Sequence, residues 1–321
     1  MLALRALLTH LVDYAGLFPP AALAMGPAVR RYAAYRASGA AWLLARFVVP
    51  VARLEEFEAA AGALLPGDAA PPDAPEPWRL SALVGADAAA DLRAVVAFNA
   101  RHAEAAEAGR AVVDALEAKA AAPDDVARLA DAVRRAGLDD AALYVELPPA
   151  ADATAYAHAA AYARAAAAAG ARLKLRTGGV TADAFPAPDA VLAFLAACAA
   201  HEVPAKCTAG LHHPLRGEHA LTYESGCARG TMYGFVGVFL AAALLHAGHA
   251  PADVAPLLEE RDPGALALGA DDALAWRGRR VDAGTVADAR VRRLVAFGSC
   301  SFEEPLHDLQ ALGWWPGPTP T

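Results

Sequence analysis

The feature that most constrains the fold of this chain is a regular alternation of short apolar runs with alanine-rich, helix-like stretches. The apolar runs recur about every 30 residues, at 7–18, 42–50, 78–85, 111–120, 141–149, 171–179, 203–211 and 233–241. Parallel strands need helical crossovers between them, so this alternation predicts a parallel sheet. Eight such units over about 250 residues predict an α/β fold with a closed (β/α)8 TIM barrel.

A doubly wound open sheet is the alternative fold. It normally has fewer strands, and no GxGxxG motif follows the first strand here. The end of the chain contains a helix-like segment, VADARVRRL, followed by FGSCSFEEPLHDL. We therefore predict a barrel in residues 1–255 and a C-terminal extension of helix and loop, residues 256–321, that packs on it.

Composition limits the classes of partner. The net charge is −8 and the pI is near 5.7, which argues against nucleic acid and against an anionic membrane surface. The most apolar run, GFVGVFLAAALLHAG, is shorter than the ~20 residues that a membrane span needs. The expectation is a cytoplasmic protein with a small-molecule substrate and no membrane partner. The sequence does not decide between a monomer and a homo-oligomer.

Lysine is rare in this chain. Of 28 lysine and arginine residues, only Lys119, Lys174 and Lys206 are lysines. An amine can lose its proton and attack a carbonyl group, whereas a guanidinium stays protonated. All three lie at the ends of predicted strands, so they are candidate nucleophiles. The alternative is that each is a structural lysine whose apolar stem is buried at a strand end.

Further polar residues follow the predicted strands where a TIM barrel has its active site, at the C-terminal strand ends. They are Asp13, Glu117, Glu146, Arg176, Thr177, Gly178, Gly179, Thr208, His212 and His213. Residues two apart on a strand share a face, so Glu117 joins Lys119 and Arg176 joins Lys174. Buried charges are costly unless they are paired, so this concentration indicates a functional site.

The two later lysines suggest a chemistry. We expect Lys174 and Lys206 to lie on adjacent strands with both amines in one cavity. Two nearby lysines lower each other's pKa by repulsion, and burial adds to the effect. A lysine that is neutral near pH 7 can form a Schiff base, and neighbouring carboxylates can carry the protons.

Two segments also carry a resemblance to a known family. KLRTGGVT (174–181) and AKCTAGLHH (205–213) resemble the deoxyribose-phosphate aldolase pattern, in which one lysine opens a K-x-x-T-G segment on strand six. A second lysine opens K-x-x-G-G on strand seven in that family. LRALLTHLVDYAGL resembles its first strand and GRAVVDALEA its fourth. The resemblance covers roughly residues 5–245.

That resemblance implies a class I aldolase barrel and assigns roles to four residues. Lys174 would form the Schiff base, and Lys206 would tune it. Asp114, or functionally Glu117, would take the place of the acid on strand four.

The chain departs from this family where the family binds phosphate. TAGL lacks the second glycine and is followed by His212 and His213, and YGFVGVF lacks the Gly-Ser signature of strand eight. A non-phosphorylated substrate is therefore expected. The motifs KxRTGG and KxTAGLHHP, with the terminal FGSCSFEEP, also resemble a bacterial family without an assigned activity, which implies no reaction.

The leading hypothesis is a Schiff-base-forming, class I aldolase or lyase that acts on a small polar carbonyl compound without a cofactor or metal. Arg176, His212 and His213 would orient the substrate. Ser299 and Ser301 would offer hydrogen bonds, because GSCS lacks the G-x-S-x-G frame that would favour a nucleophile at Ser299 or Cys300.

Two alternatives use the same barrel mouth. One is a metal-dependent hydrolase or lyase with His212, His213 and nearby carboxylates as ligands, although no HxH or HExxH spacing is present. The other is a non-catalytic barrel that binds an anion through its lysines and arginines. Glu146 could equally be a structural ion-pair partner of Lys174.

Overall fold

The structure is a computed structural model that describes residues 2–67, 76–104, 109–149, 154–268 and 272–317. Its first seven strands are parallel neighbours: β1 (Val12–Tyr14), β2 (Leu44–Pro50), β3 (Trp78–Leu83), β4 (Ala111–Lys119), β5 (Ala142–Glu146), β6 (Arg172–Arg176) and β7 (Ala205–Thr208). Antiparallel pairs follow, namely the hairpin β8 (Gly217–Ala220) with β9 (Arg229–Met232), and a small sheet of β10 (Leu266–Ala267), β11 (Ala273–Trp276) and β12 (Arg279–Asp282). The last strand, β13 (Leu294–Ser299), pairs with both β1 and β7 and closes the barrel. The predicted (β/α)8 TIM barrel is confirmed.

Helices precede, separate and follow the barrel strands. They are α1 (Leu2–Leu8), α2 (Met25–Arg36), α3 (Leu54–Ala61), α4 (Ala88–Glu104), α5 (Pro123–Arg135), α6 (Ala155–Ala169), α7 (Pro188–Ala200), α8 (Phe235–His246), α9 (Pro251–Val254), α10 (Ala283–Arg292) and α11 (Glu303–Ala311). Helix α5 shows why such segments fold. Pro123 supplies a preset backbone angle at its first position, and Val126, Ala130 and Val133 form the buried stripe.

One described segment, Ala182–Ala200, is long and apolar enough to cross a membrane by length and composition alone. Its helical part, α7, packs against β6 and between α6 and α8.

The predicted eighth strand, residues 233–241, is wrong. Gly234 precedes the first turn of α8, and the helix is buried over Phe235–Leu245. A helix that is apolar on every side has no 3.6-residue period to distinguish it from a buried strand. The run is buried, as its apolar residues indicated, but it forms a helix and not a strand.

The predicted boundary at residue 255 must also be corrected. Strand β13 comes from the segment 256–321 and completes the barrel between β1 and β7. The side chain of Arg290 ties this strand to the chain's beginning, since its guanidinium donates to the carbonyl oxygens of Leu7, Thr9 and Leu294 at 2.8 Å each. The barrel cannot close without residues that were predicted to lie outside it.

Candidate active site

Lys174 and Lys206 are direct register partners on β6 and β7, as the two motifs predicted. Both side chains lie inside the barrel, with 5% of Lys174 and 1% of Lys206 exposed. The carboxylate of Glu117, on β4, bridges them. Its Oε2 lies 2.6 Å from the Nζ of Lys174, and its Oε1 lies 2.5 Å from the Nζ of Lys206.

Each amine has a second carboxylate partner. Glu146, on β5, places Oε2 2.7 Å from Nζ of Lys174, and Asp13, on β1, places Oδ2 2.6 Å from Nζ of Lys206. We call these five residues the lysine–carboxylate cluster. Two ammonium groups and three carboxylates alternate along it, so every buried charge has an opposite neighbour.

The bridging carboxylate determines the electrostatics. Burial by itself raises the pKa of Glu117, but the two lysines outweigh burial and hold that pKa well below its usual value. Burial likewise disfavours the ammonium of Lys206, but Asp13 and Glu117 outweigh it and raise the pKa of Lys206 above its usual value. The expected mutual lowering of lysine pKa values is thus wrong for Lys206, because a carboxylate lies between the amines.

A cavity of about 1060 Å³ opens above the cluster at the C-terminal ends of the strands. Lys174, Glu117 and Glu146 line it, whereas Lys206 and Asp13 do not. The expectation that both amines face the cavity therefore holds for Lys174 alone. Six other residues that the sequence predicted at the barrel mouth, as substrate contacts or as strand-end candidates, also line the cavity, namely Lys119, Arg176, Gly179, Thr208, His212 and His213.

Two cavity cations stand apart from the ion pairs. Among the described residues, neither Lys119 nor Arg176 has an ion-pair partner within 4.0 Å, and both are exposed to the cavity. Glu117, which shares a strand face with Lys119, is bound by the other two lysines instead. Arg229, on β9, adds a further positive charge to the cavity wall. We call Lys119, Arg176 and Arg229 the rim cations, and their positive charges suit the cavity to an anionic ligand.

Asp114 does not line the cavity, although it precedes Glu117 by only three residues on β4. Arg46 binds it through Nε at 2.6 Å and through its terminal nitrogen at 2.9 Å, and Arg79 adds a bond at 2.6 Å. The carboxylate therefore neutralises two arginines of β2 and β3. Of the two acids predicted for strand four, only Glu117 meets the lysines.

Thr177 and Gly178 hold two loops together and do not line the cavity. The hydroxyl of Thr177 donates to the carbonyl oxygen of Ala209 at 2.6 Å. A Cβ added at Gly178 would lie 2.9 Å from the Cα of Gly210 and 2.5 Å from the ring of Phe185. Gly210 itself has a positive φ of 73°, which favours glycine.

Ser299 and Ser301 also lie outside the cavity lining. The hydroxyl of Ser299 donates to the carbonyl oxygen of Ser301 at 2.7 Å. The hydroxyl of Ser301 accepts a bond from the backbone N–H of Glu304 at 3.1 Å. Both serines thus shape the turn between β13 and α11.

The adjacent histidines make separate pairs with α11. Nδ1 of His212 donates to Oε2 of Glu304 at 2.6 Å, and Nδ1 of His213 donates to Oδ2 of Asp308 at 2.6 Å. The ring of His213 also stacks on His219 of the β8–β9 hairpin. Within the described part of the chain, no group of three or more His, Cys, Asp or Glu side chains could hold a metal ion. The absence of a bound metal stays a prediction.

Several residues in or beneath the cavity were not predicted, and Ser81 lies beneath it without lining it. Ser81 donates to Oε1 of Glu117 at 2.6 Å, and its only sequence signal is a polar residue within the apolar strand WRLSAL. Glu304 and Tyr223 line the cavity wall, and the hydroxyl of Tyr223 donates to Glu304 at 3.0 Å. Cys300, between the two predicted serines, lines the cavity although they do not.

Comparisons with protein-family models and with curated protein sequences gave no match. Among solved structures, the chain is similar to a tetrameric deoxyribose phosphate aldolase from Aeropyrum pernix, with 12% sequence identity and a TM-score of 0.48 over 97% of each chain.

Proposed function

We propose that the protein is a Schiff-base-forming, class I aldolase or lyase that acts on a small, polar, non-phosphorylated carbonyl compound. One observation carries this proposal. The amine of Lys174 lies at the floor of the cavity between two carboxylates, at 2.6 Å from Glu117 and 2.7 Å from Glu146. A buried amine that is open to a ligand and has a carboxylate in contact to accept its proton is suited to imine chemistry.

The two carboxylates have different tasks in this mechanism. Glu117 is held ionised by two lysines, so it anchors the cluster and is a poor proton acceptor. Among the described residues, Glu146 makes an ion pair with Lys174 alone, and in this mechanism it takes the proton of that amine. The neutral amine then attacks the carbonyl carbon, a C–N bond forms, and the carbonyl oxygen receives a proton. Loss of water from this carbinolamine gives the iminium, with Glu146 returning the proton.

Lys206 acts by holding the cluster in place. It lies beneath the cavity and binds Asp13 and Glu117 at 2.6 and 2.5 Å. Its positive charge offsets that of the Glu117 carboxylate, which would otherwise stabilise the ammonium form of Lys174 more strongly. Lys206 is therefore a positioning residue and Lys174 the nucleophile.

The rim cations indicate the substrate class. Arg176 is two residues beyond Lys174 on β6, which places its Cα about 7 Å higher along the strand. Thr208 is its register partner on β7, and Lys119 lies on the other side of Glu146. A carbonyl compound with a carboxylate or hydroxyl groups a few bonds from the carbonyl carbon would reach these side chains.

Reductive trapping tests the proposal. The protein is incubated with sodium borohydride and a panel of small carbonyl compounds (pyruvate, acetaldehyde, glyceraldehyde, dihydroxyacetone), and adducts are located by intact mass and peptide mapping. We expect one adduct, on Lys174, and none in Lys174→Arg, because arginine keeps the charge but cannot form the imine.

Lys119→Arg is the matched control and should trap normally. An adduct on Lys119, or near-normal turnover by folded Lys174→Arg, would show that the nucleophile is misassigned. A non-catalytic anion-binding barrel would trap nothing and would tolerate all three Lys→Arg changes about equally.

A further inference from the structure

A second set of reactive groups lies in the wall of the same cavity. The Sγ of Cys300 is 3.9 Å from Nε2 of His212, within reach of a sulfur hydrogen bond. The opposite ring nitrogen of His212 is bound by Glu304 at 2.6 Å. Thiol, imidazole and carboxylate thus stand in the order of a nucleophile, its base and the group that orients the base.

The fold brings these residues together from distant parts of the chain. Cys300 directly follows β13, and His212 lies in the loop after β7, the neighbouring strand. Glu304 is in the first turn of α11, where the backbone bond to Ser301 fixes it. The hydroxyl of Tyr223 contacts Cys300 at 3.6 Å and donates to Glu304 at 3.0 Å. The cluster is therefore held from three sides.

The protonation of His212 is compatible with an activated thiol. Burial lowers the pKa of His212, but contacts with Cys300 and Glu304 outweigh burial and raise the pKa to about 9. An imidazolium donates from both ring nitrogens, so the N–H at Nε2 of His212 would face the sulfur of Cys300 and stabilise a thiolate formed there. Other titratable groups that interact with this cluster are Tyr14, Tyr223, His213 and His219.

The four cysteines differ in ways that single out Cys300. Cys198 and Cys207 are buried, do not line the cavity and have pKa values raised by burial. Cys227 is partly exposed, with its thiol donating to the carbonyl oxygen of Thr222 at 3.2 Å, and it also lies outside the cavity lining. Only Cys300 combines access to the cavity with a histidine partner among the described residues.

We propose that Cys300, His212 and Glu304 form a second nucleophilic centre in the cavity, one that accepts the acyl group of a small ester or thioester. The thiolate attacks the acyl carbon, so an S–C bond forms. The bond from that carbon to the leaving alcohol or thiol breaks, and His212 gives the leaving group its proton. Water then attacks the acyl-cysteine with His212 as base, releasing the acid and restoring the thiolate. Glu304 keeps the imidazole in position.

Acylation by p-nitrophenyl acetate tests this proposal in a Cys227→Ser background, which removes the other accessible thiol. We expect a burst of p-nitrophenol and one acetyl group on Cys300, located by peptide mapping. Iodoacetamide should alkylate Cys300 at pH 6 at least about tenfold faster than it alkylates free cysteine, because a free thiol is almost wholly protonated there. No acetyl group on Cys300 overturns the proposal, even if alkylation is fast.

Variants separate activation from simple accessibility. His212→Gln should remove the burst and return the pH dependence of alkylation to that of a free thiol, and Glu304→Gln should shift it part of the way. Equal alkylation of Cys300 with and without His212 overturns the proposal. Lys174→Arg should keep the burst while losing imine trapping, so failure of one centre is distinguishable from failure of the other.

Discussion

Replacing Glu117 by glutamine should destabilise the protein, because one buried carboxylate neutralises two buried lysines. The glutamine has the same shape but no charge, and its NH2 group would face an ammonium, donor against donor. Removing one partner from a buried ion pair costs about 3–5 kcal/mol. Lys174 keeps Glu146 at 2.7 Å and Lys206 keeps Asp13 at 2.6 Å. We therefore expect the low end, about 3 kcal/mol at pH 7.

The pH dependence of this loss tests its electrostatic origin. The folded-state pKa of Glu117 is lowered, so its stabilisation is present above the unfolded-state pKa and is lost as pH falls. The difference between wild type and Glu117→Gln should thus be largest near pH 7 and shrink below about pH 4. Lys206, whose pKa is raised, keeps its contribution below its ordinary pKa and loses it only in strong alkali.

Urea denaturation followed by circular dichroism at pH 7 and pH 3.5 measures both quantities. Glu56→Gln is the matched control, since it removes an exposed carboxylate bound to Arg53 at 2.7 Å and should leave the denaturation midpoint unchanged. A loss of less than about 1 kcal/mol in the free energy of unfolding at pH 7 would refute the stabilisation that we assign to the buried ion pairs. An equal loss at both pH values would refute their electrostatic origin.

Three further outcomes are expected. Lys206→Met should reduce trapping at Lys174 and thermal stability more than Lys206→Arg does, because arginine still offers a positive charge to the buried carboxylates. The yield of the trapped adduct and the thermal unfolding midpoint measure the two effects. Arg176→Gln should raise KM for an anionic substrate more than it lowers kcat, and steady-state kinetics with a charged and a neutral substrate separate the two effects. Gly178→Ala should cost about 1–3 kcal/mol in urea denaturation, because its Cβ would meet the Phe185 ring and the backbone of Gly210.

The sequence predicted most of the barrel because its strands and helices differ in pattern. The run 171–179 alternates polar and apolar residues, which reports a strand with one face toward the barrel interior. The run 233–241 is apolar throughout, and pattern alone cannot separate a buried strand from α8. The strand that does close the barrel, β13, begins two residues after the last residue of the arginine-rich helix α10, with no glycine or proline between them. Burial on all sides hid the identity of one element, and the lack of a turn signal hid the start of the other.

The candidate site was predictable only where its residues are close in sequence or share a register. Lys174 and Lys206 occupy matching places in two similar motifs, so their pairing followed from the motifs. Glu117 meets Lys206 across 89 residues, and His212 meets Glu304 across 92. These contacts depend on barrel closure, which no local pattern encodes. The choice of Glu117 over Asp114 likewise depends on which face of β4 meets the lysines.

The two lysines are equivalent in sequence and become different through depth. They are register partners on the adjacent strands β6 and β7, and each contacts two carboxylates. The amine of Lys206 is enclosed by Asp13 and Glu117, whose charges raise its pKa, and Lys206 does not line the cavity. The amine of Lys174 has the cavity above it and Glu146 beside it. In the proposed mechanism, imine formation at Lys174 therefore depends on Lys206, because Lys206 holds the shared Glu117 carboxylate in place and Lys174 is the lysine that meets the substrate.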